Sequence, residues 1–386
     1  MEGYNKKVIM SYWTICRMKT TKKIYVKVSI IFLLGGILLF SSCEKEENQK
    51  IEANRKTLFM YLPWSSNLTN YFYNNISDLE KCITKIGLNN EKVIVFISTG
   101  STEAMMFEIV SSHGRCKREI LKKYKSPPFT TIDGITAILN DVKAFAPASV
   151  YTMIIGCHGM GWLPVYEMKV RSAPHMKMHW EYQGVPLTRY FGGLTAEYQT
   201  DIKSLASGIA NAGMKMEYIL FDDCYMSSIE VAYELKDVTK YLIGSTSEMM
   251  AYGMPYAAIG EYLLGNPDYQ SGCEEFYNFY STYEIMPCGT LAVTDCSELE
   301  NMAAIIKSIN SKYSFDKSLR GTIQRLDGYT PVIFYDFADY ITSLCNDPIL
   351  LNQFREQLNH LVPYKTHTKN FYTMAKGIIP INSFSG

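Results

Sequence analysis

Two apolar runs that end in reactive side chains decide the expected fold. One reads Tyr151-Thr-Met-Ile-Ile-Gly-Cys-His158-Gly-Met-Gly-Trp162, and the other reads Tyr218-Ile-Leu-Phe-Asp222-Asp-Cys224-Tyr-Met226. A continuous apolar run of this kind is typical of a buried parallel strand. The loop at the carboxyl end of such a strand is where α/β proteins place their functional groups. If the two strands are neighbours, the histidine and the cysteine emerge at one edge of the sheet.

The surrounding sequence alternates between strand and helix patterns. Strand patterns lie at 56–62, 93–97, 104–110, 150–157, 218–221, 241–246, 289–294 and 330–335, with 104–110 nearer an edge. Helix patterns lie at 68–83, 131–142, 200–212, 226–235, 269–283, 297–313, 337–345 and 348–361. This alternation indicates a mainly parallel sheet that is covered by helices on both faces. The pattern is less regular after about residue 260.

Composition and charge exclude several classes of protein. The 386 residues are 47% hydrophobic and 20% charged, which is ordinary for a folded chain and argues against disorder. Residues 1–42 carry seven Lys or Arg and one acid, so the rest of this formally neutral chain has a charge of −6. Nucleic-acid binding requires a basic face, and we therefore expect no nucleic-acid partner. We expect a monomer.

The cysteines do not form a recognisable framework. The ten are Cys16, Cys43, Cys82, Cys116, Cys157, Cys224, Cys273, Cys288, Cys296 and Cys345. They include no C-x-x-C pair and no regular spacing, so the sequence predicts neither a disulfide scaffold nor a zinc finger. Most are expected to be small buried apolar residues. No metal site is predicted.

The N-terminus has the composition of a targeting segment. Basic residues precede the apolar run 28–40, which is 13 residues long and therefore short for a membrane-spanning helix. Ser41-Ser42-Cys43 and the charged stretch after it resemble a bacterial lipoprotein signal. We expect a signal peptide at 1–42, a lipid on Cys43 and a tether at 43–54, which would anchor the protein in the bacterial cell envelope, on the periplasmic or the exposed face of the outer membrane. An uncleaved N-terminal anchor is the alternative.

The chemistry of the two strand ends is that of a cysteine peptidase. Such an enzyme needs a thiolate, a base and donors for the oxyanion. His158 is the candidate base and Cys224 the candidate nucleophile. Gly159 and Gly161 allow close approach of the backbone, and their N–H groups are candidate oxyanion donors. A helix beginning near Met226 would place its positive end beside Cys224 and lower the pKa of the thiol.

The same residues also have non-catalytic interpretations. Free cysteines are commonly buried and inert, and histidine–glycine pairs are common in turns. Cys157, directly before His158, is a competing nucleophile. Alternation along the strand would aim Cys157 away from His158, which favours a packing role. From the residues alone, catalysis and a structural role both remain open.

Flanking residues resemble a known family. Residues 155–162, 221–226 and 230–235 resemble the signatures of clostripain-like cysteine peptidases, and 56–62 with Asn67-Leu68 resembles their first strand and loop. Ser247-Glu248 with Gly253-Met-Pro-Tyr256 resembles the segment that helps to build the substrate pocket. The resemblance runs from about residue 55 to the end of the chain.

This resemblance implies a caspase-like three-layer α/β/α sandwich with a mainly parallel central sheet and an additional C-terminal helical subdomain. We place the catalytic core at 55–262 and the C-terminal α/β subdomain, packed on the core, at 263–386. The resemblance further implies cleavage after Arg or Lys by a His158/Cys224 dyad through an acyl-enzyme. Asp222 matches the acidic residue of the specificity pocket, and Glu248 is a second pocket candidate. The chemistry needs no cofactor; calcium is implied only by relatives, and the sequence contains no loop motif for it.

Two departures from the family pattern bear on activity. Asp223 stands where relatives more often have a small residue. The stretch 163–198 is enlarged, and some relatives are activated by self-cleavage in this region, so Arg171, Lys177 and Arg189 are candidate cleavage positions. The alternative function is a catalytically inactive surface lipoprotein of the same fold that acts as a binding module; a third reading makes His158 and Cys224 purely structural.

Overall fold

The computed structural model describes residues 54–165, 184 and 195–386. The predicted signal peptide, Cys43 and nearly all of the predicted tether lie outside the described residues. The three candidate self-cleavage positions, Arg171, Lys177 and Arg189, also lie outside them.

Within the described ranges, one large sheet of nine strands organises the molecule. The strands are β1 (Asn54–Leu62), β2 (Glu91–Gly100), β3 (Glu103–Ser112), β4 (Arg115–Lys125), β5 (Ala148–Ile155), β6 (Met216–Phe221), β7 (Thr239–Gly244), β8 (Thr290–Asp295) and β9 (Tyr364–His367). Their order is β4-β3-β2-β1-β5-β6-β7-β8-β9. The central strands β2-β1-β5-β6-β7 are parallel, and an antiparallel pair extends the sheet on each side. A separate antiparallel hairpin consists of β10 (Asn370–Thr373) and β11 (Gly377–Pro380).

Helices cover both faces of this sheet. They are α1 (Thr69–Ile86), α2 (Ile132–Phe145), α3 (Ile202–Asn211), α4 (Ile229–Leu235), α5 (Tyr256–Leu263), α6 (Tyr269–Ser281), α7 (Leu299–Asn310), α8 (Phe337–Leu344) and α9 (Pro348–Leu361). Side chains alternate along β1, so that Leu58 and Met60 pack with α1, α5 and α6, whereas Phe59 and Tyr61 face the other six helices. The predicted α/β fold with a mainly parallel, doubly covered sheet is confirmed.

The edge of the sheet differs from the prediction. The strand at 104–110 was expected near an edge, but β4 lies outside it and pairs with β3 over its whole length. Residues Arg115–Lys125 read RCKREILKKYK and carry few apolar side chains. Lysine and arginine along an exposed edge discourage pairing with another chain, which explains why this strand has no apolar signature.

The predicted strand at 330–335 is a loop. Its backbone donors are taken by the buried carboxylate of Asp327, which accepts N–H bonds from Tyr329 at 2.7 Å, Ile333 at 2.7 Å and Phe334 at 2.6 Å. The segment makes one isolated bridge, between Arg325 and Tyr335. An apolar run was therefore mistaken for a strand because its hydrogen bonds go to a side chain.

The predicted boundary between 262 and 263 falls within α5, before its last residue. Of the strands that follow it in sequence, β8 pairs with β7 and β9 pairs with β8, so both belong to the same sheet as the strands that precede it. Residues Asn54–Gly386 form one compact unit. The two sides of the predicted boundary therefore share one sheet.

Two further observations concern the described ranges. The prediction that most cysteines are buried is confirmed, since seven of the eight in these ranges are buried free thiols and Cys116 is partly exposed. None of the helices found there combines the length and the hydropathy that a membrane span requires.

Candidate active site

The register of two neighbouring strands brings the histidine and cysteine turns together. Strands β5 and β6 are parallel, and Ile155 pairs with Phe221 near their carboxyl ends. The N–H of Asp222 donates to the Ile155 carbonyl at 2.8 Å. His158 and Cys224 each lie three residues beyond this last registered pair. The sheet therefore delivers both residues to the same edge at the same height.

Gly159 is the point at which the two turns touch. A Cβ atom added at Gly159 would lie 2.0 Å from the Cys224 carbonyl oxygen and 2.8 Å from the Cys224 nitrogen. Contacts that short are not possible, so the backbone of the cysteine turn occupies the space that any other side chain would need. The residue after the histidine must be glycine for the turns to approach this closely.

The His158 ring is fixed by the loop that follows β1. Its Nε2 atom lies 2.9 Å from Asn67 Oδ1 and 3.1 Å from the Ser65 carbonyl oxygen. With the Asn67 amide in this orientation both partners are acceptors, so Nε2 carries the proton of the neutral ring and Nδ1 is the basic nitrogen. The same two oxygens stabilise the positive charge after the ring accepts a second proton. His158 is fully buried.

Ser65 and Asn67 were not identified as site residues from the sequence. Their loop follows β1, which is the parallel neighbour of β5. A correct prediction of this strand order would have placed the loop beside His158, because the carboxyl ends of parallel strands meet at one edge.

The Cys224 sulfur faces the segment that follows β7. Its Sγ atom accepts the Met249 N–H at 3.1 Å and lies 3.7 Å from the Met249 carbonyl oxygen. An N–H donor beside a sulfur favours the charged thiolate over the thiol. Cys224 is fully buried, so a substrate reaches it only after the atoms that cover it move.

The expected helix end beside Cys224 is wrong. Helix α4 begins at Ile229 and is seven residues long, whereas the sequence predicted a start near Met226. The intervening residues pair with the segment after β7: the Tyr225 N–H donates to the Ser247 carbonyl and the Ser227 N–H to the Ser245 carbonyl, both at 3.0 Å. Tyr225 has φ +60°, which is not a right-handed helical conformation, and the helix begins only where the Ser228 side chain accepts the Val231 N–H.

Asp223 joins the two turns. The fully buried carboxylate accepts the Cys157 N–H at 2.5 Å, and its second oxygen lies 3.7 Å from the Cys157 sulfur. A carboxylate beside a thiol disfavours the thiolate. Cys157 is therefore a poor nucleophile, in keeping with its expected packing role, and Asp223 links the backbone next to His158 to the backbone next to Cys224.

The two predicted pocket residues have different surroundings. Asp222, 1% exposed, accepts the Met254 N–H at 2.8 Å and the Tyr256 hydroxyl at 3.0 Å, and both donors belong to the segment that resembles the family's pocket. Glu248, 3% exposed, accepts the Tyr225 hydroxyl at 2.8 Å and the Met374 N–H at 3.0 Å. Asp222 thus contacts the segment that resembles the family's pocket, whereas Glu248 contacts the residue that follows Cys224.

A cavity opens beside the histidine turn. Its volume is about 440 Å³, and it is lined by Met160, Trp162, the start of α3 and part of α4. Three acidic side chains, Asp201, Glu230 and Glu234, border it. In the described part of the chain, no group of three or more His, Cys, Asp or Glu side chains is arranged to hold a metal ion. The calcium expectation stays a prediction.

Comparison with known proteins supplies the family. The model of the clostripain family, Peptidase C11, matches residues 60–376. A secreted C11 cysteine protease from Bacteroides thetaiotaomicron, named iotapain, is 59% identical over 86% of this chain and 92% of its own, with a TM-score of 0.80. A clostripain from B. thetaiotaomicron ATCC 29148, solved with the peptide inhibitor BTN-VLTK-AOMK, is 66% identical over 51% of this chain and 88% of its own, with a TM-score of 0.50.

The fold also extends to a more distant structure. An inactive zymogen C11 protease from Parabacteroides distasonis is 24% identical over 86% of this chain and 90% of its own, with a TM-score of 0.71. A search of curated proteins gave no match.

Proposed function

This chain belongs to the clostripain family of cysteine proteases, and from that premise we propose that it is an endopeptidase that cleaves after Arg or Lys through a His158/Cys224 dyad. The observation that carries the proposal is the direct contact of the two turns at Gly159, which only glycine permits.

The proposed chemistry is nucleophilic catalysis by the thiolate. Cys224 gives its proton to His158, and the thiolate sulfur attacks the scissile carbonyl carbon. As the tetrahedral intermediate collapses, the C–N bond breaks and the leaving amine takes the proton from His158. A water molecule, deprotonated by His158, then hydrolyses the thioester and returns Cys224 to its thiol form. Ser65 O and Asn67 Oδ1 hold the ring in the tautomer that this cycle needs. The cycle needs no cofactor.

The oxyanion requires donors close to the nucleophile. We assign the Gly159 N–H to this role because Gly159 packs directly on the Cys224 backbone. Its lack of a side chain is what lets the two turns approach this closely, which puts the Gly159 backbone beside the nucleophile.

Specificity for a cationic residue is assigned to Asp222. A buried carboxylate selects a cation because leaving it unpaired, or pairing it with a neutral group, is unfavourable. The inhibitor peptide in the 66% identical relative reads VLTK and ends in lysine, which supports the same preference here. Asp222 bonds to Met254 and Tyr256 of the segment that resembles the family's pocket, whereas Glu248 bonds to Tyr225 and Met374, so Asp222 is the stronger candidate.

The test is covalent labelling of the soluble chain by a peptide that ends in Arg or Lys and carries an acyloxymethyl ketone. We expect one equivalent of label on Cys224, complete loss of labelling in Cys224→Ala, and retained labelling in the matched control Cys157→Ala. Well-folded protein without label on Cys224 would contradict the proposal and favour the inactive binding module.

Processing and tethering complete the proposal. We propose self-cleavage at Arg171, Lys177 or Arg189, and a lipid on Cys43 that anchors the protein in the cell envelope. Mass spectrometry of the active chain is expected to find a new terminus after one of these basic residues, absent in Cys224→Ala. Incorporation of a labelled fatty acid is expected to be lost in Cys43→Ser, and retention of the fatty acid in that variant would overturn the anchor.

A further inference from the structure

The nucleophile is part of a closed ring of covalent and hydrogen bonds. Met249 N–H donates to Cys224 Sγ at 3.1 Å. The residue after Cys224 is Tyr225, the residue before Met249 is Glu248, and the Tyr225 hydroxyl donates to Glu248 Oε1 at 2.8 Å. The neighbours of the donor and of the acceptor are therefore bonded to each other. One contact, at the sulfur, is part of the site; the other lies away from the reacting atoms.

This second contact, which we call the Tyr225–Glu248 clamp, is held in place by the residues packed around it. Tyr225 is fully buried, and its ring is stacked on Phe334 with centroids 4.5 Å apart and planes 6° from parallel. The second oxygen of Glu248 accepts the Met374 N–H at 3.0 Å. Burial raises the pKa of Tyr225 well above its usual value, so the hydroxyl stays protonated and remains a donor. The clamp therefore joins the nucleophile turn, the segment after β7 and the end of β10.

The clamp helps to hold the backbone of Tyr225 in an uncommon conformation. Tyr225 has φ +60°, a left-handed conformation that is uncommon for a bulky residue and costs free energy. Such a conformation persists only where surrounding contacts fix it. Here the hydroxyl contact with Glu248, the ring stack on Phe334 and the N–H bond to Ser247 fix the residue directly after Cys224.

We propose that the Tyr225–Glu248 clamp holds the Met249 N–H against Cys224 and that this N–H stabilises the thiolate. The inference rests on the proposed function, in which Cys224 is the nucleophile. Met249 contributes the donor that touches the reacting sulfur, and Tyr225 and Glu248 are positioning residues that act through it. Glu248 is thereby moved from the substrate pocket to the support of the nucleophile.

The two protonation states of the sulfur differ in how they use Met249. A thiol can donate weakly to the Met249 carbonyl at 3.7 Å, whereas a thiolate can only accept and depends on the N–H at 3.1 Å. If the segment that carries Met249 moves away from Cys224 by a few tenths of an ångström, the thiolate therefore loses more stabilisation than the thiol does. Loss of the clamp is expected to delay ionisation to higher pH.

Charged and titratable groups face Cys224 from each element packed around it. His158 comes from the turn after β5, Asp223 and Tyr225 from the cysteine's own turn, Glu248 from the segment after β7, and Tyr329 from the loop organised by Asp327. Of these, the carboxylates of Asp223 and Glu248 would both oppose a thiolate, and for Glu248 this charge effect acts against its positioning role. Charge and position therefore predict opposite effects when Glu248 is replaced, and the experiment can separate them.

The experiment measures the rate of Cys224 alkylation by iodoacetamide against pH, quantified by mass spectrometry of the peptide that contains Cys224. The thiolate is the reacting form, so the midpoint of the profile reports its ionisation. Changes in access alter the plateau rate and leave the midpoint unchanged. Tyr225→Phe keeps the ring stack and removes only the hydroxyl. We expect its midpoint to rise by roughly 0.5 to 1 pH unit, the size expected for one weakened donor, and kcat for a Lys or Arg peptide to fall at constant KM.

Three further variants decide the interpretation. Tyr218→Phe is the matched control, since it removes a fully buried hydroxyl that donates to the Leu263 carbonyl at the opposite end of β6. Glu248→Ala removes the clamp and is expected to raise the midpoint like Tyr225→Phe. Glu248→Gln can still accept from Met374 and donate to the Tyr225 oxygen, and is expected not to raise it.

Two results would overturn the inference. One is a Tyr225→Phe midpoint equal to that of Tyr218→Phe. The other is a lower midpoint in both Glu248→Gln and Glu248→Ala, which would assign the effect to the charge of Glu248 and not to its position. If Glu248→Ala does not fold, Tyr225→Phe and Glu248→Gln still decide. Alkylation needs no peptide cleavage, so failure of the proposed peptidase activity and failure of this inference give separate results.

Discussion

The two ends of the parallel strands both contain buried charges, but they use them differently. At the carboxyl ends, Asp222, Asp223 and Glu248 are at most 3% exposed, and each accepts hydrogen bonds from a different loop. At the amino ends, Lys56 is 3% exposed and its Nζ atom donates to the Leu263 carbonyl at 2.6 Å and the Gly265 carbonyl at 3.2 Å. At the carboxyl ends these carboxylates accept hydrogen bonds from N–H and O–H groups, and at the amino ends the Lys56 ammonium donates hydrogen bonds to carbonyl oxygens.

This difference indicates which buried charges lie close enough to His158 and Cys224 to affect the proposed reaction. Asp223 connects the turns that carry His158 and Cys224. Glu248 bonds to the residue after Cys224, and Asp222 bonds to the segment that resembles the substrate pocket, so each contacts a part of the proposed site. Lys56 connects β1 to the end of α5, far along the strand from those turns. We therefore expect substitutions at the carboxyl ends to alter activity, and substitutions at the amino ends to alter stability and its dependence on pH.

The largest expected effect tests the contact between the turns. Gly159→Ala places a Cβ atom where Cys224 O stands 2.0 Å away, so the turns must separate. Displacement of reacting groups by about 1 Å can cost ~100-fold in rate, and we expect a loss of kcat/KM of that size or more. Gly100→Ala is the control, because nothing lies within 4 Å of its added Cβ. Near-normal activity in Gly159→Ala would show that the turns do not need this contact.

The next largest effect tests Asp222 as the residue that selects a cationic substrate side chain. Asp222→Asn keeps the size of the side chain and an acceptor for the Met254 N–H, but removes the charge. We expect kcat/KM for Lys and Arg peptides to fall by about tenfold to 100-fold, as for loss of a charged hydrogen bond, while iodoacetamide alkylation of Cys224 is unchanged.

The matched control for the selector is Asp78→Asn. Asp78 is also a buried carboxylate that accepts a tyrosine hydroxyl, from Tyr252 at 2.6 Å, but it lies on α1. Equal losses in the two variants would assign the effect of Asp222→Asn to general destabilisation.

A smaller effect tests the orientation of the base. Asn67→Ala removes one of two acceptors for His158 Nε2 and leaves the Ser65 carbonyl at 3.1 Å. We expect kcat to fall by about tenfold, since one neutral hydrogen bond contributes on the order of 1 kcal/mol, with KM unchanged. A change confined to KM would place Asn67 in substrate binding.

The smallest effect on activity is expected at the amino end. Lys56→Met should leave kcat/KM unchanged but alter stability, because burial lowers the pKa of Lys56 to about 8 from 10.5. Between these two pKa values the unfolded chain binds more protons than the folded chain, so the free energy of unfolding rises with pH through this range. Below the range, the charged buried lysine destabilises the folded state. A shift of this size corresponds to something on the order of 3 kcal/mol across the window.

The measurement for this prediction is urea unfolding at pH 7 and at pH 10. The rise in stability between the two should be smaller in Lys56→Met than in the parent chain. Lys143→Met is the control, since Lys143 also donates to a backbone carbonyl, that of Ala212 at 2.7 Å, but is only partly buried. An unchanged rise in Lys56→Met would mean that other groups cause it.

Much of the fold could be predicted because apolar runs encode buried strands. The stretches before His158 and Cys224 are of this kind, and their order and flanking residues led to the family. Strand β4 escaped detection since an exposed edge is built from Lys and Arg, which leave no apolar pattern. The run at 330–335 misled in the opposite way, because the side chain of Asp327 takes its backbone donors.

The site was predictable where side chains carry the chemistry and unpredictable where the backbone does. His158, Cys224 and Asp222 are distinctive residues at strand ends. The donor from Met249 is a backbone N–H, so the residue type at this position gives no sign of its role. That role depends on the position of β7 beside β6. Asn67 required knowledge that β1 adjoins β5. Tertiary neighbours, rather than local pattern, decide such contacts.

The registered pair Ile155–Phe221 has a consequence for how the family can diversify. His158 and Cys224 each lie three residues beyond that pair, so His158 is placed at the start of the connection between the two strands and Cys224 after the second strand has ended. Lengthening a connection costs little free energy, since the entropy of closure grows only with the logarithm of length. Residues 163–198 can therefore be lengthened, shortened or rewritten in evolution without moving His158 or Cys224.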